Sequence, residues 1–362
     1  MTIDELLSLK PGEPDREIYL HSKRKWDLLA KPIDGLGDLE DIICRIAAIR
    51  KDPETALSQK ALIIMCSDNG VVKEGVSQTE QKVTYDVASL MGKKKSSVGI
   101  MTMGYPLEIM VYDVGINSAD TPEGVINKKV CRGTADFITE PAMSREQCLS
   151  AIETGIDCVR QCRDKKIDIA ATGEMGIGNT TTATALLCAV TGADVKSCTG
   201  RGAGLSVEGL KRKTEVIEKG ISLYVQRTAG ENGLSAEGTF EILRCLGGAD
   251  IAALTGVFIG GALYDIPIVI DGLISAVAAL IAEKLVPGCR KYMIASHMGK
   301  EKGMEIIFKE LSQSPVIHAN MALGEGTGSV LLFPLLDMAL SLYHNGTAFN
   351  ATSIGQYERF EE

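Results

Sequence analysis

Aromatic residues are scarce in this chain of 362 residues, and an excess of basic charge is absent, since 38 lysines and arginines stand against 47 aspartates and glutamates. Phenylalanine, tyrosine and tryptophan together make up 5% of the sequence, so the core must be built mainly from aliphatic side chains and methionine. The formal net charge is −9. Nucleic-acid binding needs a basic surface that neutralises phosphates, and the composition therefore argues against a nucleic-acid partner.

Metal-binding spacings are missing as well. The ten cysteines include no CxxC pair, and the four histidines are scattered without an HExxH arrangement. Zinc sites and related metal sites depend on such spacings. We therefore predict neither a structural nor a catalytic metal, and no other cofactor.

No uninterrupted apolar run is long enough to cross a membrane. The longest apolar stretch, residues 251–286, is broken by Asp265, Pro267 and Asp271, whereas a membrane span needs about 20 residues without such breaks. The acidic N-terminal residues lack the apolar core of a signal peptide. We predict a cytoplasmic protein with no membrane partner, and a helix, a strand and a helix across residues 251–286.

What the chain does contain is a repeated unit, in which a short apolar strand ends in a polar or glycine-rich turn and a helical pattern follows. The predicted strands cover residues 61–66, 109–112, 167–172, 266–270 and 292–295. Strands that alternate with helices indicate an α/β fold, with a parallel sheet and helices on both faces. In such sheets ligands bind beyond the carboxyl ends of the strands, so the turns that follow the strands are the candidate sites.

One of these turns is rich in glycine and opens an apolar helix. It reads Gly-Glu-Met-Gly-Ile-Gly-Asn-Thr-Thr-Thr over residues 173–182. Successive N–H groups at the start of a helix can bind a phosphate, and glycines let the ligand approach the backbone. No lysine follows the last glycine, which argues against a Walker P-loop and a kinase. A plain strand-to-helix turn with a threonine cap is the alternative.

A second glycine-rich segment surrounds a glutamate. Leu-Gly-Glu-Gly-Thr-Gly at residues 323–328 places Glu325 directly before an apolar helix at residues 330–342. Apolar surroundings would raise its pKa and suit it to accept a proton near neutrality. A glutamate at a helix N-terminus that simply favours the macrodipole fits equally well. Two weaker signals are the glycine-dense loop at residues 200–205 and Lys213, whose cationic run is more typical of a solvent-facing helix surface.

Four segments together resemble the nicotinate-nucleotide:dimethylbenzimidazole phosphoribosyltransferase family, which makes the lower-ligand nucleotide of cobamides. The segments are residues 173–181, 247–256, 295–297 and 323–328. The resemblance implies transfer of the 5-phosphoribosyl group of nicotinate mononucleotide to an aromatic acceptor. The products would be nicotinate and an α-ribazole-phosphate-type nucleotide. It also implies a homodimer, or a heterodimer with a paralogue.

The resemblance further implies a division into domains. A large Rossmann-like domain would cover residues 56–315. The N-terminal helices, residues 1–55, and the last segment, residues 316–362, would both contribute to a smaller helical domain. The last segment would carry the catalytic loop and its helix.

Individual roles follow from the same resemblance. Glu325 would be the general base. The acceptor would lie near Ser77, Tyr85, Asp86 and Leu323. The phosphoribosyl group would be bound by Glu174, Met175, Gly176, Ile177, Gly178, Asn179, Thr180, Gly202 and Lys213.

The chain departs from the family pattern around the implied acceptor pocket. Asn69 stands where a histidine is common, no proline follows Ser77, and Tyr85 or Asp86 replaces a frequent glutamine. These changes predict an altered acceptor, which could be another benzimidazole, a purine or a phenol. The alternative is a catalytically degenerate paralogue that pairs with an active sister chain, and the intact Glu325 argues against it.

Overall fold

A six-stranded parallel sheet forms the centre of the computed structural model, which describes residues 1–228 and 234–359. The strands are β1 (Lys60–Ser67), β2 (Glu108–Gly115), β3 (Ile126–Asn127), β4 (Ile169–Met175), β5 (Ile268–Ile270), β6 (Met293–Ala295), β7 (His297–Gly299) and β8 (Ile317–Met321). The sheet order is β3-β2-β1-β4-β5-β6, and β7 pairs with β8 in a separate parallel ribbon. The strand order reverses between β1 and β4, as in Rossmann folds. The five predicted strands are β1, β2, β4, β5 and β6, so the α/β fold class is confirmed.

Helices cover both faces of this sheet. In the described residues they are α1 (Ile3–Leu7), α2 (Arg16–Leu28), α3 (Asp38–Arg50), α4 (Lys82–Gly92), α5 (Ser97–Met101), α6 (Arg145–Asp164), α7 (Asn179–Thr191), α8 (Val195–Cys198), α9 (Val207–Thr228), α10 (Ala236–Leu246), α11 (Ala249–Leu263), α12 (Leu273–Leu285), α13 (Met304–Leu311) and α14 (Thr327–Asn345). The stretch 251–286 folds as predicted, into α11, β5 and α12. Within the described part of the chain, no helix combines the length and the apolar character needed to span a membrane.

Strand β1 shows why both faces must be covered. All eight of its residues are buried. Because successive side chains point to opposite faces, Ile63 and Met65 belong to one apolar cluster and Leu62 and Ile64 to another. Helices α6, α7 and α10 to α13 supply the first cluster, whereas α3, α4 and α14 supply the second. A strand with this double burial is a continuous apolar run, which is what its sequence shows.

The N-terminal helices divide between the two faces. Trp26 of α2 packs against Tyr343 of α14, with 5.1 Å between the ring centroids, and the Tyr343 hydroxyl donates to the Pro53 carbonyl at 2.9 Å. Leu6 of α1 belongs instead to the apolar cluster on the opposite face. The boundaries of the smaller helical domain stay a prediction.

Helices α6 and α11 approach each other at backbone distance. A Cβ atom added to Gly155 would lie 1.9 Å from the Ala253 carbonyl oxygen, and one added to Gly256 would lie 1.9 Å from the Ile152 carbonyl oxygen. Backbone atoms cannot move aside as the end of a flexible side chain can. This contact therefore requires glycine on both helices.

We expect Gly256→Ala to lower the free energy of unfolding by about 3 kcal/mol or more, because the added methyl group overlaps backbone. Urea unfolding would show this as a lower midpoint. Gly200→Ala is the control, since a Cβ atom at Gly200 would meet nothing within 4 Å. Equal midpoints for the two variants would contradict the close helix contact.

Candidate active site

A cavity of about 270 Å³ opens at the carboxyl edge of the sheet. The turns that follow the strands, which the sequence analysis predicted as candidate sites, lie at this edge. Both glycine-rich segments, 173–182 and 323–328, contribute residues to this cavity. Its walls come from residues 76–78, 174–180, 201–203, 205, 271–275, 297, 301, 321–324 and 327.

One end of the cavity is suited to an anion. Helix α7 starts there after Gly178, which has a φ of +95°. The Lys213 Nζ donates to the Thr180 Oγ1 at 2.8 Å, and this lysine is only 1% exposed. A Cβ atom at Gly202 would lie 3.0 Å from the Thr180 Oγ1 and 3.5 Å from the Lys213 Nζ. The positive end of the α7 dipole, a buried ammonium and a glycine that places no side chain beside them together favour a phosphate.

The solvent-facing interpretation of the cationic run is wrong for Lys213. Its neighbours Lys211 and Arg212 are exposed, but Lys213 lies on the side of α9 that also carries the buried Ile217. That side packs against α7. Burial lowers the pKa of Lys213 to about 8, and the charge of Glu301 opposes the shift.

Two carboxyl groups share one amide beside the turn after β4. The Asn179 side-chain amide donates to Glu174 Oε2, and to Asp250 Oδ2 at 3.0 Å. Burial raises the pKa of Glu174 to about 8, and the nearby charge of Asp250 adds to the shift. Burial likewise raises the pKa of Asp250 to about 6. Glu174 is therefore mainly protonated at neutral pH and is suited to donate a hydrogen bond.

Asp271 attaches the second glycine-rich segment to the sheet. It follows β5 directly, and its two carboxylate oxygens accept from the Gly326 amide at 3.2 Å and the Ser329 amide at 2.9 Å. The Ser329 hydroxyl donates to the Thr172 carbonyl of β4 at 2.9 Å. Burial raises the pKa of Asp271 to about 7, and the backbone N–H donors oppose the shift. The start of α14 is thus fixed over the strand ends.

Glu325 lies in a strained part of this segment. Gly324, Glu325 and Gly326 have φ values of +84°, +61° and +82°. The left-handed conformation costs a non-glycine residue roughly 1–2 kcal/mol, and glycine would avoid that cost. The Glu325 Oε2 accepts from the Val98 amide of α5 at 3.0 Å. Gly324 and Thr327 line the cavity, whereas Glu325 does not.

The four residues that the resemblance assigns to the acceptor separate into two pairs. Ser77 and Leu323 line the cavity, and Leu323 is 55% exposed at its edge. Tyr85 and Asp86 lie on α4 and do not line it. Tyr85 packs against the apolar cluster beneath α4, and Asp86 is exposed.

Known proteins of one kind match the whole chain. The family profile described as Phosphoribosyltransferase matches residues 12–354. The chain is 38% identical over 362 residues to a nicotinate-nucleotide–dimethylbenzimidazole phosphoribosyltransferase of Ruminiclostridium cellulolyticum, covering all of both chains. A protein of the same name from Acetivibrio thermocellus is 39% identical over 347 residues, 96% of this chain and 97% of that one. The chain belongs to this phosphoribosyltransferase family.

The fold comparison agrees with the sequence comparison. The crystal structure of CobT from Thermus thermophilus superposes with a TM-score of 0.86 at 31% identity. The superposition covers 94% of this chain and all of that chain. The resemblance stated from the four sequence segments is therefore confirmed at the level of the family.

The cavity of this phosphoribosyltransferase contains polar residues to which the sequence assigned no role. Besides Asp271, they include His297 and Glu301. The His297 Nδ1 lies 2.9 Å from the Ser296 Oγ, whose proton is donated to the Ile270 carbonyl at 2.6 Å. The His297 Nδ1 is thus the donor, which leaves Nε2 as an acceptor, and burial lowers the pKa of this histidine. The sequence indicated these residues only by their position, because Asp271 and the Ser296–His297 pair directly follow predicted strands.

Proposed function

We propose that this phosphoribosyltransferase transfers the 5-phosphoribosyl group of nicotinate mononucleotide to dimethylbenzimidazole or a related aromatic base in cobamide biosynthesis. The products are nicotinate and an α-ribazole-phosphate-type nucleotide. The names of the relatives, which are nicotinate-nucleotide–dimethylbenzimidazole phosphoribosyltransferases, support this substrate pair. The observation that supports the proposal is a single cavity that is lined both by the start of α7 and by Gly324 and Thr327, the residues on either side of the Glu325–Gly326 pair.

The reaction requires the protein mainly to position the two substrates. Nicotinate mononucleotide carries a pyridinium, which leaves without acid assistance. The protein must hold the sugar phosphate, orient the acceptor and remove one proton as the acceptor attacks the anomeric carbon. Displacement from the opposite side inverts that carbon and gives the α linkage.

Each end of the cavity has a proposed task. The turn at residues 174–180, with Gly202 and Lys213, binds the phosphoribosyl group. Ser77 and Leu323 border the acceptor. Glu325 acts as the general base: one carboxylate oxygen accepts from the Val98 amide, and the other accepts the acceptor's proton. Glu174, mainly protonated at neutral pH, provides a polar contact to the substrate.

We propose further that the acceptor range extends beyond dimethylbenzimidazole, to other benzimidazoles, purines or phenols. The departures around Ser77 and Asn69 support this. In a phenol, Glu325 would remove an O–H proton, and the product would be an O-glycoside.

Mass-spectrometric assays of the purified protein with nicotinate mononucleotide and a panel of these acceptors test the range. We expect product with dimethylbenzimidazole and with at least one other class. Strict use of dimethylbenzimidazole would refute the wider range. Absence of product with every acceptor would instead favour an inactive partner subunit.

We also propose that the enzyme acts in the cytoplasm as a dimer, either with itself or with a paralogue. Large apolar side chains are exposed on or beside α5 and α14, which contact each other: Ile100 is 59% exposed, Met103 77% and Met338 63%. Apolar surface of this kind is typical of a protein interface. Light scattering of the purified chain distinguishes the assemblies, because only the homodimer forms from one gene product.

A further inference from the structure

Glu301 has a buried oxygen with no donor. It lies in the turn between β7 and α13 and lines the same cavity as the proposed phosphoribosyl site. Its Oε2 is buried and accepts no hydrogen bond from any residue in the described part of the chain. Buried carboxylate oxygens are normally satisfied. In the described part of the chain no residue donates to the other oxygen, Oε1, either, and Oε1 is not buried, so the carboxylate lacks a donor that a ligand in the cavity could supply.

The charged groups around Glu301 restrict what that donor can be. Lys213 from α9 and Lys300 from its own turn lower its pKa, while burial, the largest effect, raises it. Glu174 from β4 is close enough for its own pKa to be raised by Glu301. Asp271 and His297 line the same cavity, and the His297 Nδ1 is already bonded to Ser296. None of these groups donates to the Glu301 carboxylate, and because Oε2 is buried over Gly299, Oε1 is the oxygen that a ligand in the cavity can reach.

Lys213 also marks the phosphate end of the cavity. A phosphate and a carboxylate are both acceptors and repel each other, so Glu301 is not suited to contact the phosphate itself. A hydroxyl group is suited, because it donates to the carboxylate. The hydroxyls nearest to the 5-phosphate of a ribosyl group are those on C2 and C3 of the same sugar.

The backbone of β7 leaves room for this arrangement. A Cβ atom at Gly299 would lie 2.7 Å from the Glu301 Oε2. The Glu301 side chain therefore folds back over Gly299, into space that any larger residue would occupy. Glycine at this position helps to set where the carboxylate points.

We propose that Glu301 accepts a hydrogen bond from the 2′- or 3′-hydroxyl of the ribosyl group and so selects ribosyl over deoxyribosyl substrates. The proposal rests on the proposed function, because it takes the ligand to be nicotinate mononucleotide. It adds a substrate-binding residue that determines the choice of sugar.

The test pairs deletion of the side chain with deletion of each hydroxyl. Wild type and Glu301→Ala are assayed with nicotinate mononucleotide and with its 2′-deoxy and 3′-deoxy analogues. A hydrogen bond to a charged group is worth about 10- to 100-fold in kcat/KM, so wild type should discriminate against at least one analogue by that factor. The Glu301→Ala enzyme should lose a similar factor on nicotinate mononucleotide and should no longer discriminate.

Three further variants sharpen the result. Glu305→Ala, an exposed carboxylate four residues away, is the matched control and should discriminate as wild type does. Glu301→Gln keeps an acceptor oxygen and should retain part of the discrimination. Gly299→Ala displaces the carboxylate without removing it and should weaken discrimination even if Glu301→Ala folds poorly.

Two outcomes would overturn the inference. One is a Glu301→Ala enzyme that loses activity equally on all three substrates, since a purely structural role has that effect. The other is a wild type that accepts both analogues as well as nicotinate mononucleotide. Calorimetric measurement of the binding of the three ligands separates this test from the proposed function. Binding without transfer would count against the proposed reaction. Weaker binding of a deoxy analogue than of nicotinate mononucleotide would still support the role of Glu301.

Discussion

Glu325→Gln should lower kcat for phosphoribosyl transfer by about 10²- to 10⁴-fold, the usual contribution of a general base. The amide is the same size as the carboxylate and its oxygen can still accept from the Val98 amide, but it cannot take a proton at neutral pH. The Gly324–Gly326 loop should keep its conformation. KM for nicotinate mononucleotide should therefore change little, since the lost interaction belongs to the transition state.

Glu174→Gln is the comparison that assigns the base. Because burial raises the pKa of Glu174 to about 8, a base at this position would become active only as pH rises through about 8. Wild-type activity would then increase across that range, and Glu174→Gln would abolish the increase. If Glu325→Gln instead retained full turnover while Glu174→Gln lost it, the assignment of Glu325 would be refuted. A pH profile of kcat for the three enzymes separates these results.

Local sequence patterns were sufficient to predict most of the central sheet and its neighbouring helices. The apolar stretch at residues 251–286, with its breaks at Asp265, Pro267 and Asp271, predicted a helix, a strand and a helix, and the structure has α11, β5 and α12 there. Buried parallel strands are continuous apolar runs, so five of the six sheet strands could be located within a few residues. The missed sheet strand, Ile126–Asn127, has two exposed residues and no apolar run to reveal it.

The site was harder to predict, because its contacts join residues far apart in the chain. Asp271 binds amides more than fifty residues later, and neither segment signals the other. Lys213 differs from its exposed neighbours only by facing α7, a consequence of how α9 packs. Glu301 is notable only because its oxygen is buried without a donor, which no sequence pattern expresses. The glycine-rich turns predicted two of the segments that line the cavity, but not which other side chains line it with them.

Lys213→Met is expected to raise KM for nicotinate mononucleotide by about 100-fold or more, because the proposed phosphate site would lose its buried cation. Methionine has a similar volume and is apolar, so it can be buried at this position and the free energy of unfolding should not fall. Lys211→Met, an exposed lysine on the same helix, is the matched control and should bind as wild type does.

The pH dependence of binding tests the same charge without a substitution. Burial lowers the pKa of Lys213 to about 8, so the free enzyme carries the ammonium below that pH and loses it above. The phosphate monoester is already a dianion at this pH and does not change charge. Calorimetric affinity of the wild type should therefore weaken as pH rises through about 8, and Lys213→Met should lose the part of this decrease that comes from the ammonium. Glu174, whose pKa is also about 8, causes the part that remains, so Lys213→Met is compared with the Lys213→Met, Glu174→Gln double variant. Equal affinities of the two proteins at neutral pH would place the phosphate elsewhere in the cavity, because a substrate held at the start of α7 cannot be indifferent to a cation that contacts Thr180.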